Sequence, residues 1–292
     1  MISKISLGTV QFGQDYGIAN TTGKVSKKEV FEILDHANHV GISYLDTAYS
    51  YGDSELIIGE YLKENPSEFK IVSKLPSMEL FNLGKVEESL EESLRRIGLK
   101  RIYGYLVHQF SDILINDDIW NSLVRLKDDG RIEKIGFSLY SPDELECLLK
   151  NELDFDIIQI PYSVFDRRFE GYFDMLKERE IEIQVRSVFL QGLAFLSSEH
   201  LTGSLQEARP QLEKLQQIAE IRKISVEALC LNFVLLSPHI DKVIIGVDCL
   251  AHFENNVVSL NLIGQVRNVY GQLSAIAIQN ENTLLPYKWA VN

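Results

Sequence analysis

Short runs that are apolar at nearly every position alternate along the chain with longer segments whose apolar residues recur every three or four positions. The first pattern predicts strands, the second amphipathic helices. Ile5 to Phe12 (ISLGTVQF) is the first predicted strand. A helix is predicted from Lys27 to His39, with Val30, Ile33, Leu34 and Ala37 on one face, Ser26 as N-cap and Gly41 as stop. SYLDTA forms the second strand, ending in Asp46, and a helix follows over Ser54 to Glu64. FKIVSKL is the third strand, ending at Lys74. The helix predicted from Gly84 to Gly98 carries EESLEESLRR, a solvated charged face with Glu three or four positions before Arg95 and Arg96. RIYGYLVHQ is the fourth strand and reaches His108. A helix over Asp117 to Asp128 leads to KIGFS, the fifth, and Ser141-Pro142 opens the helix after it. FDIIQIPY and IEIQVRS are the sixth and seventh strands. Helices near Gln206 to Arg222 and Ser225 to Leu236 precede KVIIGV, the eighth strand, and a helix near Ala251 to Leu260.

Strands that are apolar throughout imply burial on both faces, as in a parallel sheet. Eight strand-helix units in 292 residues predict a single (β/α)8 TIM-barrel domain over residues 1–292. A doubly wound sheet is the rival. It would be favoured by a glycine-rich fingerprint after an early strand, and LGTVQFG is not G-x-G-x-x-G.

Composition narrows the function classes. The chain is 45% hydrophobic and 24% charged, with a net charge of −13. So acidic a surface repels phosphate backbones and argues against a nucleic-acid partner. No apolar run suits a bilayer span, and MISKISLGTVQFG lacks the apolar core of a signal peptide. Three cysteines without paired spacing (Cys147, Cys230, Cys249) predict free thiols and a cytoplasmic protein, monomeric or a small homo-oligomer.

In such a barrel, reactive groups gather at the C-terminal ends of the strands. Asp46 ends strand two, with Tyr51 just beyond it; Lys74 ends strand three and His108 strand four. Any one of these alone reads as a structural ion pair. Together on consecutive strands they read as a catalytic set. The six histidines are scattered, with no His-x-His pair, so no metal is expected.

LDTAYSYGDSE (Leu45 to Glu55) resembles the signature of the aldo-keto reductases. VSKL matches that family's strand-three lysine, and LVHQ its strand-four histidine. The resemblance runs from strand one to the last predicted helix. It implies reduction of a small-molecule carbonyl by NADPH or NADH. Tyr51 would donate the proton, the Lys74 ammonium would lower the Tyr51 pKa, and Asp46 would keep Lys74 charged and oriented. His108 would place the substrate oxygen. Ser138 and Gln159 would hold the nicotinamide carboxamide. VIIGVDCLAHFENN resembles the family's phosphate- and adenine-binding stretch. The implied cofactor set is Thr9, Ser138, Gln159, Arg186, Leu190, Gly192, Gly246, Val247, Asp248, His252 and Asn256.

Several positions depart from the family pattern. Many relatives grip the 2′-phosphate of NADPH with basic residues after strand eight, where this chain has Gly246, Val247, Asp248 and His252. Asp248 would repel a phosphate and suit a ribose hydroxyl; its bland alternative is a helix cap. Arg186 stands where relatives carry an aromatic ring against the nicotinamide. It would recognise an anionic or strongly hydrogen-bonding substrate, or else pair with a barrel carboxylate. Leu139 follows Ser138 where many relatives have a polar amide. The few residues before Ile5 leave little room for the hairpin that floors the barrel in many relatives. Two other functions compete with carbonyl reduction on this barrel. One is a non-hydride dehydratase or isomerase, which Arg186 favours. The other is a cofactor-sensing regulatory subunit, which a complete Asp-Tyr-Lys-His set disfavours.

Overall fold

The computed structural model describes residues 1–77, 86–115 and 118–289. Eight parallel strands close into a barrel in sequence order: β1 (Ile5–Gly8), β2 (Tyr44–Asp46), β3 (Lys70–Leu75), β4 (Ile102–Val107), β5 (Ile132–Ser138), β6 (Ile157–Pro161), β7 (Glu182–Arg186) and β8 (Lys242–Gly246). Closure joins β8 to β1, with Gly8 opposite Gly246. Helices pack around the outside. Lys27–His39 and Ser54–Glu64 run as the apolar period predicts, and the Ser26 hydroxyl accepts from the Glu29 amide at 3.3 Å to cap the first of them. Gly84 and Asp117, where two further helices were expected to begin, lie outside the described residues; those helices are described from Val86 and Asp118.

Some boundaries differ, each for a local reason. The second half of ISLGTVQF is not strand. Thr9 leaves the extended conformation, because its amide and hydroxyl both bond the Asp46 carbonyl at 2.9 Å, and Val10–Gly13 coils into a short helix. The helix expected from Gln206 begins at Arg209, after a 3-10 segment. Pro210 lacks an N–H and sits naturally in the first turn of a helix. Phe110–Ile115 and Phe173–Glu178 are too short to show a period. Beyond Leu260, Ile263–Arg267, Tyr270–Ser274 and Glu281–Leu284 add helices not predicted from the sequence. Tyr270 among them stacks on Phe233 with centroids 4.9 Å apart.

The main core lies between strands and helices, while the barrel interior is more polar than the apolar strand pattern suggested. Its lower part holds Tyr44, Val72, Tyr103, Leu106 and Ile157. At the N-terminal floor three lysines lie over the two tyrosine rings: Lys242 is 3.6 Å from Tyr44, Lys70 is 4.7 Å from Tyr103, and Lys134 is 5.4 Å from Tyr103. Glu182 accepts from the Tyr103 hydroxyl at 2.5 Å and the Lys134 ammonium at 2.6 Å. Among the described residues, no helix is long and apolar enough to cross a membrane.

Candidate active site

At the opposite end of the barrel, β2 and β3 finish side by side and bring Asp46 to Lys74. The Lys74 Nζ donates at 2.8 Å to both Asp46 carboxylate oxygens and to the Thr47 carbonyl, which spends all three ammonium protons. Both side chains are almost wholly buried. Burial pulls the Lys74 ammonium below its ordinary range, and the Asp46 carboxylate pulls it back. From across the barrel, Gln159 Nε2 donates to Asp46 Oδ1 at 2.7 Å. A carboxylate can only accept, so that bond fixes the amide orientation and turns Gln159 Oε1 away.

Tyr51 is placed by backbone contact. Gly52 has a φ of +53°, and its α-carbon packs so close to the Gly13 carbonyl that a β-carbon would overlap it. A β-carbon on Gly13 would in turn strike the Tyr51 carbonyl. The Tyr-Gly pair therefore needs both glycines. The Tyr51 ring lies with the Lys74 ammonium 5.0 Å from its centroid and His108 edge-on at 5.9 Å. Its hydroxyl bonds no described residue and opens on a cavity. Burial pushes the Tyr51 hydroxyl well above its usual range; the Asp46 charge adds to this and the Arg186 guanidinium opposes it. The Tyr51 hydroxyl thus stands above its ordinary range, where a lowered pKa was expected from Lys74, and the cation that opposes the shift is Arg186. Burial pushes His108 down to about 3, with Lys74 and Arg186 adding to the shift. The imidazole is thus neutral near pH 7, with Nδ1 3.5 Å from the Ser50 hydroxyl.

The other residues of the signature hold this arrangement. Ser54 donates to the Thr9 hydroxyl at 2.7 Å and meets Thr47 at 3.1 Å, so Thr9 is committed to the Asp46 carbonyl and Ser54. Glu55 is buried and accepts from Ser73 at 2.7 Å and Arg96 at 3.4 Å. Burial raises its pKa against those hydrogen bonds.

The cavity encloses about 990 Å³, its open mouth included. Thr9, Asp46, Tyr51, His108, Ser138, Arg186, Gly192, Gly246 and Asp248 reach its wall. Lys74 lies beneath it, behind Asp46. Leu190, Val247 and Asn256 are buried and Gln159 sits behind Asp46, while His252 holds an exposed place on the helix Leu250–Ser259, 3.7 Å from Asp248. Arg186 is stacked, but on Tyr140, with its guanidinium carbon 4.1 Å from the ring centroid. Two loops meet over the rim: the Ile18 amide donates to the Gln191 carbonyl at 3.0 Å, and Gln191 Nε2 donates to the Tyr16 hydroxyl at 2.7 Å.

The wall residues not foreseen from the sequence include Gln11, Tyr16 and Tyr140. Gln11 is nine-tenths buried, and its amide lies over Gly246, where a β-carbon would come within 2.7 Å of it. Gln11 Oε1 and Gln159 Oε1 are both buried without a hydrogen-bond partner among the described residues. Buried polar atoms are seldom left unpaired. Two orphaned acceptors, one beside the Asp46–Lys74 pair and one beside Gly246 and Asp248, suit a ligand with separated N–H and O–H donors. A nicotinamide carboxamide and ribose hydroxyls are such donors.

Comparison with known proteins agrees with this fold. The model of the Aldo/keto reductase family matches residues 4–277. An NADH-specific methylglyoxal reductase of Escherichia coli (strain K12) is 26% identical over 89% of this chain and 90% of its own length. An L-glyceraldehyde 3-phosphate reductase of the same organism is 23% identical, covering 78% of each chain. An aldo-keto reductase from Bacillus halodurans, solved in its holo form, superposes with a TM-score of 0.72 at 22% identity, covering 96% of this chain and 95% of that one. The chain belongs to the aldo/keto reductase family and is an NAD(P)H-dependent oxidoreductase.

Proposed function

We propose that the enzyme reduces a small aldehyde or ketone with NADH, using Tyr51 as the proton donor. The observation that carries this reading is a tyrosine hydroxyl with no partner among the described residues, opening on the cavity beside a neutral His108 and above a closed Asp46–Lys74 pair. Ser138 and the free Oε1 of Gln159 would hold the carboxamide end of the cofactor, and Gly246, Asp248 and Gln11 the ribose and phosphate end. When bound, the nicotinamide supplies a hydride.

The protein residues would do the rest. The raised pKa keeps Tyr51 protonated at neutral pH, so its Oη can donate to a carbonyl oxygen. Neutral His108 offers a second N–H from the other wall. The substrate oxygen is thereby held between two donors that strengthen as negative charge builds on it. As that oxygen takes the Tyr51 proton, the Arg186 charge stabilises the phenolate left behind. Lys74 and Asp46, mutually neutralised, position Tyr51 and exclude water beneath it.

Two observations support NADH. The Asp248 carboxylate reaches the wall where a 2′-phosphate would need a cation, and an aligned relative is named NADH-specific. The test is direct: titrate the protein with NADH and NADPH by fluorescence, then follow cofactor oxidation with methylglyoxal and a panel of aldehydes. Binding of neither dinucleotide would overturn the proposal.

A further inference from the structure

Two arginines flank Tyr140, and they are treated differently. Arg168 donates to the Tyr140 carbonyl at 3.1 Å and is neutralised by Asp166 at 2.8 Å and Glu281 at 2.9 Å. Arg186 lies on the ring of the same tyrosine, at 4.1 Å, and donates to the Leu139 carbonyl at 2.9 Å and weakly to the Ser187 hydroxyl at 3.4 Å. It has no carboxylate partner among the described residues. Most of its N–H donors remain unspent.

Among the described residues, the rest of the cavity wall offers no neutralisation. Asp46, the carboxylate at this end, is already committed to Lys74 through both oxygens. Asp248, the other carboxylate of the wall, faces Gln11 and His252. Among the described residues, the end of the cavity that holds Tyr51 and His108 therefore carries one uncompensated positive charge, in a chain whose net charge is −13. A half-buried cation without a counter-ion is unfavourable. It also opposes formation of a positively charged oxidised nicotinamide nearby. Both terms are relieved if the substrate brings the missing negative charge. The Tyr140 stack and the Leu139 bond hold the planar fork still, as two-point recognition of an oxyanion requires.

We propose that Arg186 is the anion-recognition residue of this reductase, and that its substrate is a carbonyl compound bearing a carboxylate or phosphate group. The inference rests on the reductase reading above and adds the substrate class to it. The Tyr51 and His108 donors would take the carbonyl oxygen, and the guanidinium the anionic group.

The test uses matched pairs that differ in charge: 4-oxobutanoate against butanal, and glyceraldehyde 3-phosphate against glyceraldehyde. In the wild type the charged member should have the higher kcat/KM, and the stronger of the two pairs tells carboxylate from phosphate. Arg186→Leu should lower the charged-to-neutral ratio by about 100-fold, the worth of a charge-assisted pair of hydrogen bonds. Arg186→Lys should restore part of it. Neutral aldehydes lose a smaller common factor, because Arg186 also offsets the raised pKa of Tyr51. A second readout needs no turnover: calorimetric titration with succinate, which has no reducible carbonyl, should give binding in the wild type and none in Arg186→Leu. A ratio that does not move in either pair, with succinate binding unaltered, overturns the proposal. If the wild type binds succinate through Arg186 yet oxidises NADH with no aldehyde, the reductase reading fails and the anion site stands.

Discussion

The two ends of the barrel are built from the same three kinds of group, a tyrosine, a lysine and a carboxylate, and do opposite things with them. At the floor, Tyr103, Lys134 and Glu182 form a closed set: hydroxyl and ammonium both reach the carboxylate, and two further lysines cover the tyrosine rings. Burial pushes the Glu182 pKa up, but Lys134, Tyr103 and Gln184 outweigh it and hold the carboxyl below its ordinary range. Nothing there is left to react. At the mouth, Asp46 and Lys74 satisfy each other, and Tyr51 is left out. The difference lies in which hydroxyl keeps an open bonding direction and whether a cavity adjoins it.

Four measurements would break or sharpen that contrast. The largest effect is expected at the two tyrosines. Tyr51→Phe should lower kcat by about 10²- to 10⁴-fold with cofactor binding retained, whereas Tyr103→Phe should leave turnover unchanged. Equal rates in the two variants would dismiss the mouth as the reaction centre. Next come the lysines. Lys74→Met strands a buried carboxylate and should cost about 3–5 kcal/mol in urea unfolding. Lys134→Met removes one of three solvent-reached ammonium groups and should cost about 1 kcal/mol or less. A reversed order would mean that the floor carries the stability.

The third concerns the far end of the mouth. Kd for NADH should be lower than for NADPH, and Asp248→Asn should narrow the gap by about tenfold, or 1.4 kcal/mol. A preference of roughly 100-fold for NADPH would show that the phosphate lies elsewhere. The smallest effect is the titration of His108. Its folded-state pKa, about 3, lies below the unfolded value near 6.5. Neutral His108 therefore favours the fold above about pH 6.5, and that contribution is lost as the pH falls toward 3. Thermal melts at pH 7 and pH 5 should differ more in the wild type than in His108→Asn. The acid limb of kcat/KM should show no break near pH 6.5; a break there would mean that His108 titrates normally.

The barrel and three of the four mouth residues were legible because both follow from position alone. A period of apolar residues gives strands, and strand ends face one mouth. Asp46, Lys74 and His108 needed no knowledge of loops. Tyr51 was found through its neighbours in the chain, although what fixes it is a backbone contact with Gly13, nearly forty positions earlier. Gln11 was missed because it fell inside a segment read as strand, where its amide would have pointed to the core or the helices. The helical turn at Val10 puts it over Gly246 instead. Tyr16 and Tyr140 owe their places to loop crossings with no sequence period. The charge of Arg186 could be read, but not its stack on Tyr140, because Tyr140 lies just past the end of a different strand. The lysine-tyrosine floor escaped notice because tyrosine counts as apolar in the pattern that identifies strands.

The bridge between the loops at Ile18 and Gln191 has a consequence for timing. It ties two segments of the rim together, so a long ligand held beneath them would leave only after that tie opens. The segment that must move is already under tension: Ser187, Leu190 and Gln191 all have positive φ without being glycine. Such conformations cost on the order of 1–3 kcal/mol each. Part of that energy is returned when the bonds at Ile18 and Tyr16 break, which lowers the barrier to opening. The expected consequence is that release of the spent dinucleotide, rather than proton transfer, limits each cycle. Mixing enzyme with saturating NADH and substrate should give a rapid first turnover followed by a slower steady rate, and Gln191→Ala should quicken only the second phase.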